Sequence, residues 1–184
     1  MKKYFKKDLS NKFPTKDITY DDKKNKLPLS TSKKIKRIID IGNGVKFGSN
    51  NIPIIAGPNG VESHKLMVDV AKCLVKNKIK IIRGHAYKPL TFPYRSPKYK
   101  ESKNQGMDIM DDIKKSFKLS VVTEITEIRY LDRVCKTADI LQIGSRNMQN
   151  LELLKECALT NKPLILKRHF GASLRDMLGA AEHI

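Results

Sequence analysis

Five short, nearly continuous apolar runs recur along the chain, at 52–57 (IPIIAG), 79–84 (IKIIRG), 119–124 (LSVVTE), 139–144 (DILQIG) and 163–168 (PLILKR). Runs of this length, rich in Ile and Val, read as strands buried on both faces, the pattern of a parallel sheet. Between them the period changes. Met67, Val70, Ala71 and Leu74 follow the spacing of one helix face, as do Gly106, Ile109, Met110 and Ile113, with Phe117 extending the stripe. Ile128, Leu131 and Cys135 continue the theme, then Leu151, Leu154 and Ala158, and finally Leu174, Met177, Leu178 and Ala181. These stripes predict core packing. βα units in succession imply a parallel sheet with right-handed crossovers, either doubly wound or curled into a barrel. No Gly-x-Gly-x-x-Gly follows the first run, which weighs against a dinucleotide-binding sheet.

The alternation divides the chain. Residues 1–34 are lysine-rich and polar, with scattered apolar residues such as Phe5, Phe13 and Leu29; they predict a basic, mobile N-terminal extension. Residues 35–184 predict one domain, opened by a hairpin at 35–48 where two β-prone runs flank Gly42-Asn43-Gly44. The connection over 85–105 is too long to be a mere link, and loops of that length are usually functional.

Lys and Arg total 37 against 19 Asp and Glu, a net charge of +18. The excess is mostly lysine, runs along the whole chain and comes with many Asn and Ile, so compositional drift explains it better than a nucleic-acid surface. Only weak, salt-dependent association with nucleic acid is expected, without sequence preference. Cys73, Cys135 and Cys157 show no metal-ligand spacing and fall on the apolar faces of the expected helices; they predict buried thiols in a reducing compartment. No apolar run is long enough to span a bilayer and no hydrophobic segment follows the N-terminal lysines, so the expectation is a cytoplasmic protein without a membrane partner. Organelle targeting stays open.

Polar residues interrupt the apolar text at the C-terminal ends of the expected strands, where barrels build their active sites. Gly57-Pro58-Asn59-Gly60 follows the first, Arg83 ends the second, and Lys88-Pro89-Leu90-Thr91 lies in the long loop. Glu124 ends the third, Gln142 and Arg146-Asn147 belong to the fourth, and Lys167-Arg168 ends the fifth. Cations converging on one mouth call for an anionic guest: arginine offers a planar fork for phosphate or carboxylate, lysine a compact charge.

In this order, IIAGPNGVES, IIRGHAYKPLTFPY, VVTE, LQIGSRNMQN, LILKRHF and AAEHI resemble the motifs of 3-deoxy-D-arabino-heptulosonate-7-phosphate (DAHP) synthase, over about Ile41 to Ile184. The resemblance implies a (β/α)8 barrel of the TIM type with residues 35–48 as a capping hairpin. It implies a transferase that condenses phosphoenolpyruvate with erythrose 4-phosphate at the entry of the shikimate pathway, using a divalent metal. By motif position, Arg83, Lys88, Arg146 and Lys167 match phosphoenolpyruvate-binding residues. Thr91 matches a residue that holds the phosphate of erythrose 4-phosphate. Lys88 and Glu124 are the candidates for the chemistry itself, Glu124 as a mouth carboxylate that orients the lysines or the attacking water.

Three departures from the family pattern bear on activity. Asn59 stands where the family has a cysteine metal ligand, and an amide oxygen is a poor substitute for a thiolate; no metal ligand or cofactor is expected from this chain. The related octulosonate-phosphate synthases include metal-independent forms with asparagine at this position, so the resemblance leaves metal-free chemistry open beside loss. Leu90 replaces the arginine of the family's KPRT, a loss of about 2–5 kcal/mol in a desolvated site. About five βα units are present, so the expected fold is an incomplete barrel with open edge strands that invite pairing with another chain. A fragment, a decayed gene product, and half of a split enzyme completed by a homo-oligomer or complementing chain all stay open. The expected activity is impaired, the alternative being a non-catalytic phosphoenolpyruvate- or partner-binding pseudoenzyme. Two histidines, His85 and His169, stand at the mouth where the family has glycine, and read as incidental.

Overall fold

The computed structural model describes residues 38–88 and 101–184. The N-terminal extension lies outside the described residues, as do Leu90, Thr91 and Phe92. The described chain opens with the expected hairpin, β1 (Ile39–Asp40) against β2 (Lys46–Phe47). Its turn places Gly42, Asn43 and Gly44 at positive φ, a conformation that glycine and asparagine adopt at little cost. Then come β3 (Ile55–Ala56), α1 (His64–Lys76), β4 (Ile81–Arg83), α2 (Lys103–Phe117) and β5 (Ser120–Ile125). They are followed by α3 (Leu131–Thr137), β6 (Ile140–Ile143), α4 (Leu151–Leu159), β7 (Leu164–Leu166) and α5 (Leu174–Ala181). Strands β3 to β7 form one parallel sheet whose spatial order is their order in the chain.

Side chains alternate faces along a strand, and the two faces of this sheet have different fates. Ala56, Ile82, Val121, Leu141, Ile143 and Leu164 face outward and pack under the helices. Ile55, Ile81, Val122, Ile140 and Ile165 gather instead with Val45 and Phe47 of the hairpin in one cluster. That cluster joins residues of β3 and β7, the two ends of the sheet, so the sheet curls around its inner face. The fold is the expected incomplete (β/α)8-type barrel. Central β5 and β6 are buried throughout, while β3 and β7, at the sheet's edges among the described residues, are only half-buried.

Helices α1, α4 and α5 start where short polar side chains satisfy free backbone N–H groups. Ser63 caps α1 by accepting from the Leu66 N–H, Asn150 caps α4 through Leu153, and Ser173 with Asp176 forms a reciprocal capping box on α5. Helix α1 buries Met67, Ala71 and Leu74 as the spacing predicts, and α2 buries Gly106, Met110 and Ile113, with Met107 added.

Two expectations are corrected. The stripes of the last helices hold only in part: Leu154 is buried and Met177 packs against the core, but Leu151 and Leu174 are exposed, and α4 also buries Leu153 and Cys157. Ile128 is also exposed, in a single 3-10 turn ahead of α3. With leucine at four of nine positions in α4, periodicity alone does not choose the buried face. Cys73 is exposed, not buried; Cys157 is buried and Cys135 partly so. Burial pushes the Cys157 thiol up to about 12, so it is an inert packing group.

Candidate functional site

The period of two that lays down the inner apolar layer also builds the site above it. Two residues beyond Ile55, Ile81, Val122, Ile140 and Ile165 stand Gly57, Arg83, Glu124, Gln142 and Lys167. Each inner-facing aliphatic residue is thus followed, toward the C-terminal end of its strand, by a glycine or a polar residue. The hairpin seals the apolar layer from below; the polar layer faces the mouth.

Glu124 is the hub of that layer. Only 4% exposed, its carboxylate Oε2 accepts from Lys88 Nζ at 2.9 Å and from Gln142 Nε2 at 3.1 Å. A buried carboxylate needs such compensation, and charge-assisted donors supply it. The carboxylate has room because residue 144 is glycine: a Cβ there would lie 2.2 Å from Glu124 Oε1. Gly144 has an ordinary φ of −64°, so the requirement is space and not conformation. Gly144→Ala should displace the carboxylate and cost about 2 kcal/mol, read as a shift in denaturation midpoint; an unchanged midpoint would show that Glu124 relaxes freely.

Arg83 occupies the same layer on β4. One guanidinium nitrogen reaches the Gly57 carbonyl at 3.4 Å, and its buried Nε has no hydrogen-bond partner among the described residues. Unsatisfied guanidinium N–H groups facing a polar mouth are donors in wait for an anion. Lys167, at the end of β7, is held by its backbone N–H to the Ile143 carbonyl at 3.1 Å.

His85 lies among these charges. It is 1% exposed, and its Nδ1 accepts the backbone N–H of Glu124 at 2.8 Å. Burial lowers its pKa to about 4; Glu124 works against that shift, while Lys88, Arg83 and Lys167 reinforce it. The His85 Nε2 lies 3.9 Å from Glu124 Oε2, the oxygen that Lys88 holds at 2.9 Å, and Arg83 and Lys167 follow Ile81 and Ile165 of the inner layer by two residues. The reading of His85 as incidental is therefore corrected. Its signal in the sequence was its place two residues beyond Arg83, continuing the inward-facing set, and a lone histidine in a loop carries no such direction until the backbone is known. Gln142 is the other underrated residue, recognised as polar within a strand but not as the donor to Glu124.

Arg146 meets that quartet at Glu124. Exposed in a 3-10 turn (Ser145–Asn147) after β6, it lines a cleft of about 310 Å³ with Glu101, Glu124, Thr126, Glu127, Tyr130 and Asn147. Glu124 is the residue the cleft shares with the inner quartet. Tyr130 in the cleft wall stacks on buried Tyr87, ring centroids 4.1 Å apart. A larger cleft of about 450 Å³ lies at the opposite end, between the hairpin and the N-terminal ends of β3 and β4; it contains none of the polar layer. Arg168, counted among the converging cations in the sequence, instead donates to the Ala172 carbonyl at 2.9 Å. His169 stacks on Phe170 and accepts from the Gly171 N–H within its own loop. Asn59 is exposed on the loop after β3.

A family model described as the DAHP synthetase I family matches residues 27–184. The chain belongs to this family. A phospho-2-dehydro-3-deoxyheptonate aldolase of Thermotoga maritima is 37% identical over 147 residues, which is 80% of this chain and 42% of that protein. A 2-dehydro-3-deoxyphosphooctonate aldolase of Fusobacterium nucleatum is 30% identical over 138 residues, 71% of this chain and 48% of its own. The crystal structure of a DAHP synthase from T. maritima superposes with a TM-score of 0.72 at 37% identity, over 80% of this chain and 41% of that one. A truncated form of the T. maritima DAHP synthase gives 0.70 at 34% identity, over 81% and 52%. The chain therefore spans about half or less of the length of the DAHP and octulosonate-type relatives it matches. The barrel architecture and the family agree with each other, and the DAHP synthase fold is what the five strands share with the solved structures.

Proposed function

We propose that this chain supplies the phosphoenolpyruvate-binding face of a DAHP synthase, a transferase that condenses phosphoenolpyruvate with erythrose 4-phosphate in the first step of aromatic amino-acid biosynthesis. The observation that carries the reading is Arg83, whose buried guanidinium nitrogen lacks a partner among the described residues, in the layer where Lys88 is held by Glu124 and Lys167 follows β7. A ligand with a carboxylate and a phosphate satisfies such a set, with arginine as the bidentate fork and the lysines as point charges. Arg146 enters from the rim of the cleft, beside Glu124. In this reading Glu124 holds Lys88 in place through Oε2 and turns its other oxygen to the reacting groups. Thr91, outside the described residues, would meet the sugar phosphate.

The divalent metal that the resemblance implies does not fit the described residues. Asn59, at the position of the expected thiolate, is an exposed amide, and no three His, Cys, Asp or Glu side chains gather into a ligand set among the described residues. What these residues supply is anion binding, orientation and exclusion of water. The donor set at Asn59 favours a second reading, a non-catalytic protein that retains the phosphoenolpyruvate pocket or binds a partner.

Calorimetry with phosphoenolpyruvate tests the pocket. Binding is expected, with affinity at least tenfold lower in Arg83→Ala, because a hydrogen bond to a charged group contributes about 1.5–3 kcal/mol. A folded protein that takes up no phosphoenolpyruvate, or an Arg83→Ala variant that binds as well as the original, would overturn the assignment. Phosphate release from phosphoenolpyruvate and erythrose 4-phosphate then separates the readings: turnover supports the synthase, binding without release the non-catalytic protein.

A further inference from the structure

The hydrogen-bond ladder between β4 and β5 ends in an unusual way. Gly84 N–H donates to the Val122 carbonyl at 3.2 Å, and the next donor on that side of β5, Glu124 N–H, goes to the imidazole of His85 at 2.8 Å. A side chain takes the place of a backbone acceptor at the residue whose carboxylate organises the mouth. An imidazole nitrogen that accepts cannot carry the proton, so the neutral ring has its hydrogen on Nε2. Nε2 lies 3.9 Å from Glu124 Oε2, beyond a direct hydrogen bond but close enough for the N–H dipole to favour the anion. Gln142 Nε2 donates to the same oxygen at 3.1 Å. It also stands 3.3 Å from the imidazole Nε2, and because both nitrogens then carry hydrogen this is a contact of two donors beside one carboxylate oxygen, not a hydrogen bond between them. Lys88 is a further group on that oxygen.

We infer that His85 is a positioning residue: its imidazole, tied through Nδ1 to the Glu124 backbone, presents Nε2–H toward Glu124 Oε2 and so fixes how that carboxylate and Lys88 face the mouth. The inference rests on the reading of the mouth as an anion cradle. The charged groups that act on the ring are Arg83 from β4, Glu124 from β5, Lys167 beyond β7 and Lys88 from the loop, and neutral Gln142 from β6 touches it. Three of the four charged groups are cations, so a protonated His85 would add a fourth positive charge and lose the acceptor that holds Glu124. The imidazole does its work only when neutral.

Imidazole-resolved nitrogen NMR on the native chain tests the inference without any ligand. A single Nε2–H tautomer at neutral pH is expected; an Nδ1–H tautomer, or averaging between the two, would overturn it whether or not phosphoenolpyruvate binds. Phosphoenolpyruvate calorimetry supplies the second arm. His85→Ala should weaken binding about tenfold, the scale of one hydrogen bond to a charged group. His85→Asn restores an acceptor near Nδ1, and His85→Gln restores a donor near Nε2. Each should recover part of the affinity. Full affinity in a folded His85→Ala would reject the positioning role. If the native chain shows the expected tautomer but no phosphoenolpyruvate heat, the pocket reading fails, and the loss of positioning is read as a changed Glu124 side-chain carboxyl carbon shift in His85→Asn; an unchanged shift rejects it.

Discussion

Replacing Gly57 by alanine should destabilise the domain by about 3 kcal/mol or more, the largest effect expected of any single methyl group in this chain. Two independent constraints meet at this residue. Its φ is +144°, a region that side-chain-bearing residues rarely adopt, and a Cβ would lie 2.1 Å from the Arg83 carbonyl oxygen and 2.9 Å from the Arg83 nitrogen. Both obstacles are backbone, so no side chain can swing aside; β3 would have to part from β4. That sheet edge has only a short pairing, Ile55 with Ile81 and Ala56 with Ile82, and little to hold it against such a push. The same displacement would move Arg83, which reaches the Gly57 carbonyl at 3.4 Å, so anion binding should fall together with stability. Urea denaturation followed by circular dichroism measures the first effect, calorimetry with phosphoenolpyruvate the second. A Gly57→Ala protein with native stability would mean that β3 is not packed against β4 in solution as described.

Stability should also fall by about 3 kcal/mol as the pH drops from about 6.5 to about 4, because of His85 alone. Its folded pKa, lowered from 6.5 to about 4 chiefly by burial, means that between those values the unfolded chain binds a proton that the folded chain refuses. The contribution is intact above the unfolded value and decays as pH falls through the window. Once the folded imidazole also protonates, it changes no further. Asp40, Asp112 and Asp176 are held below the ordinary carboxylate range by hydrogen bonds from Gly42, His64 and Ser173 respectively. Their stabilisation is lost only at lower pH, below 3.8, so the window belongs to the imidazole. Denaturation midpoints across the window should slope in the native protein and flatten in His85→Gln. Equal slopes in the two would show that the ring is not buried as a neutral base.

How legible the site was depended on the kind of residue. Arg83, Lys88, Glu124 and Lys167 could be placed together from text alone, because a parallel strand projects its terminal residues toward one mouth and short apolar runs mark where strands end. Arg146 was placed with them; it is exposed in a 3-10 turn after β6 and lines a cleft together with Glu124. Arg168 was grouped with Lys167, but neighbours on an extended chain point opposite ways, and it bonds within its own loop. His85 follows Arg83 by two residues, which sets its side of the strand but not its partner. Nothing in the order of residues says that a loop imidazole will accept a strand N–H.

The sequence by itself determined the alternation of strand and helix, the hairpin, the parallel order of the sheet and the family, because these follow from hydrophobic period, turn residues and motif order, all local properties. Tertiary structure alone decided which helix face is buried where leucines crowd α4, that Cys73 is exposed, and that Gly57 and Gly144 are glycines for want of space. It also decided that His85 closes the hub of the mouth. Each of these depends on the distance between atoms far apart in the chain, from Gly57 to Arg83, from His85 to Glu124, from Gly144 back to Glu124. Such distances are properties of the curled sheet, and no run of neighbouring residues encodes them.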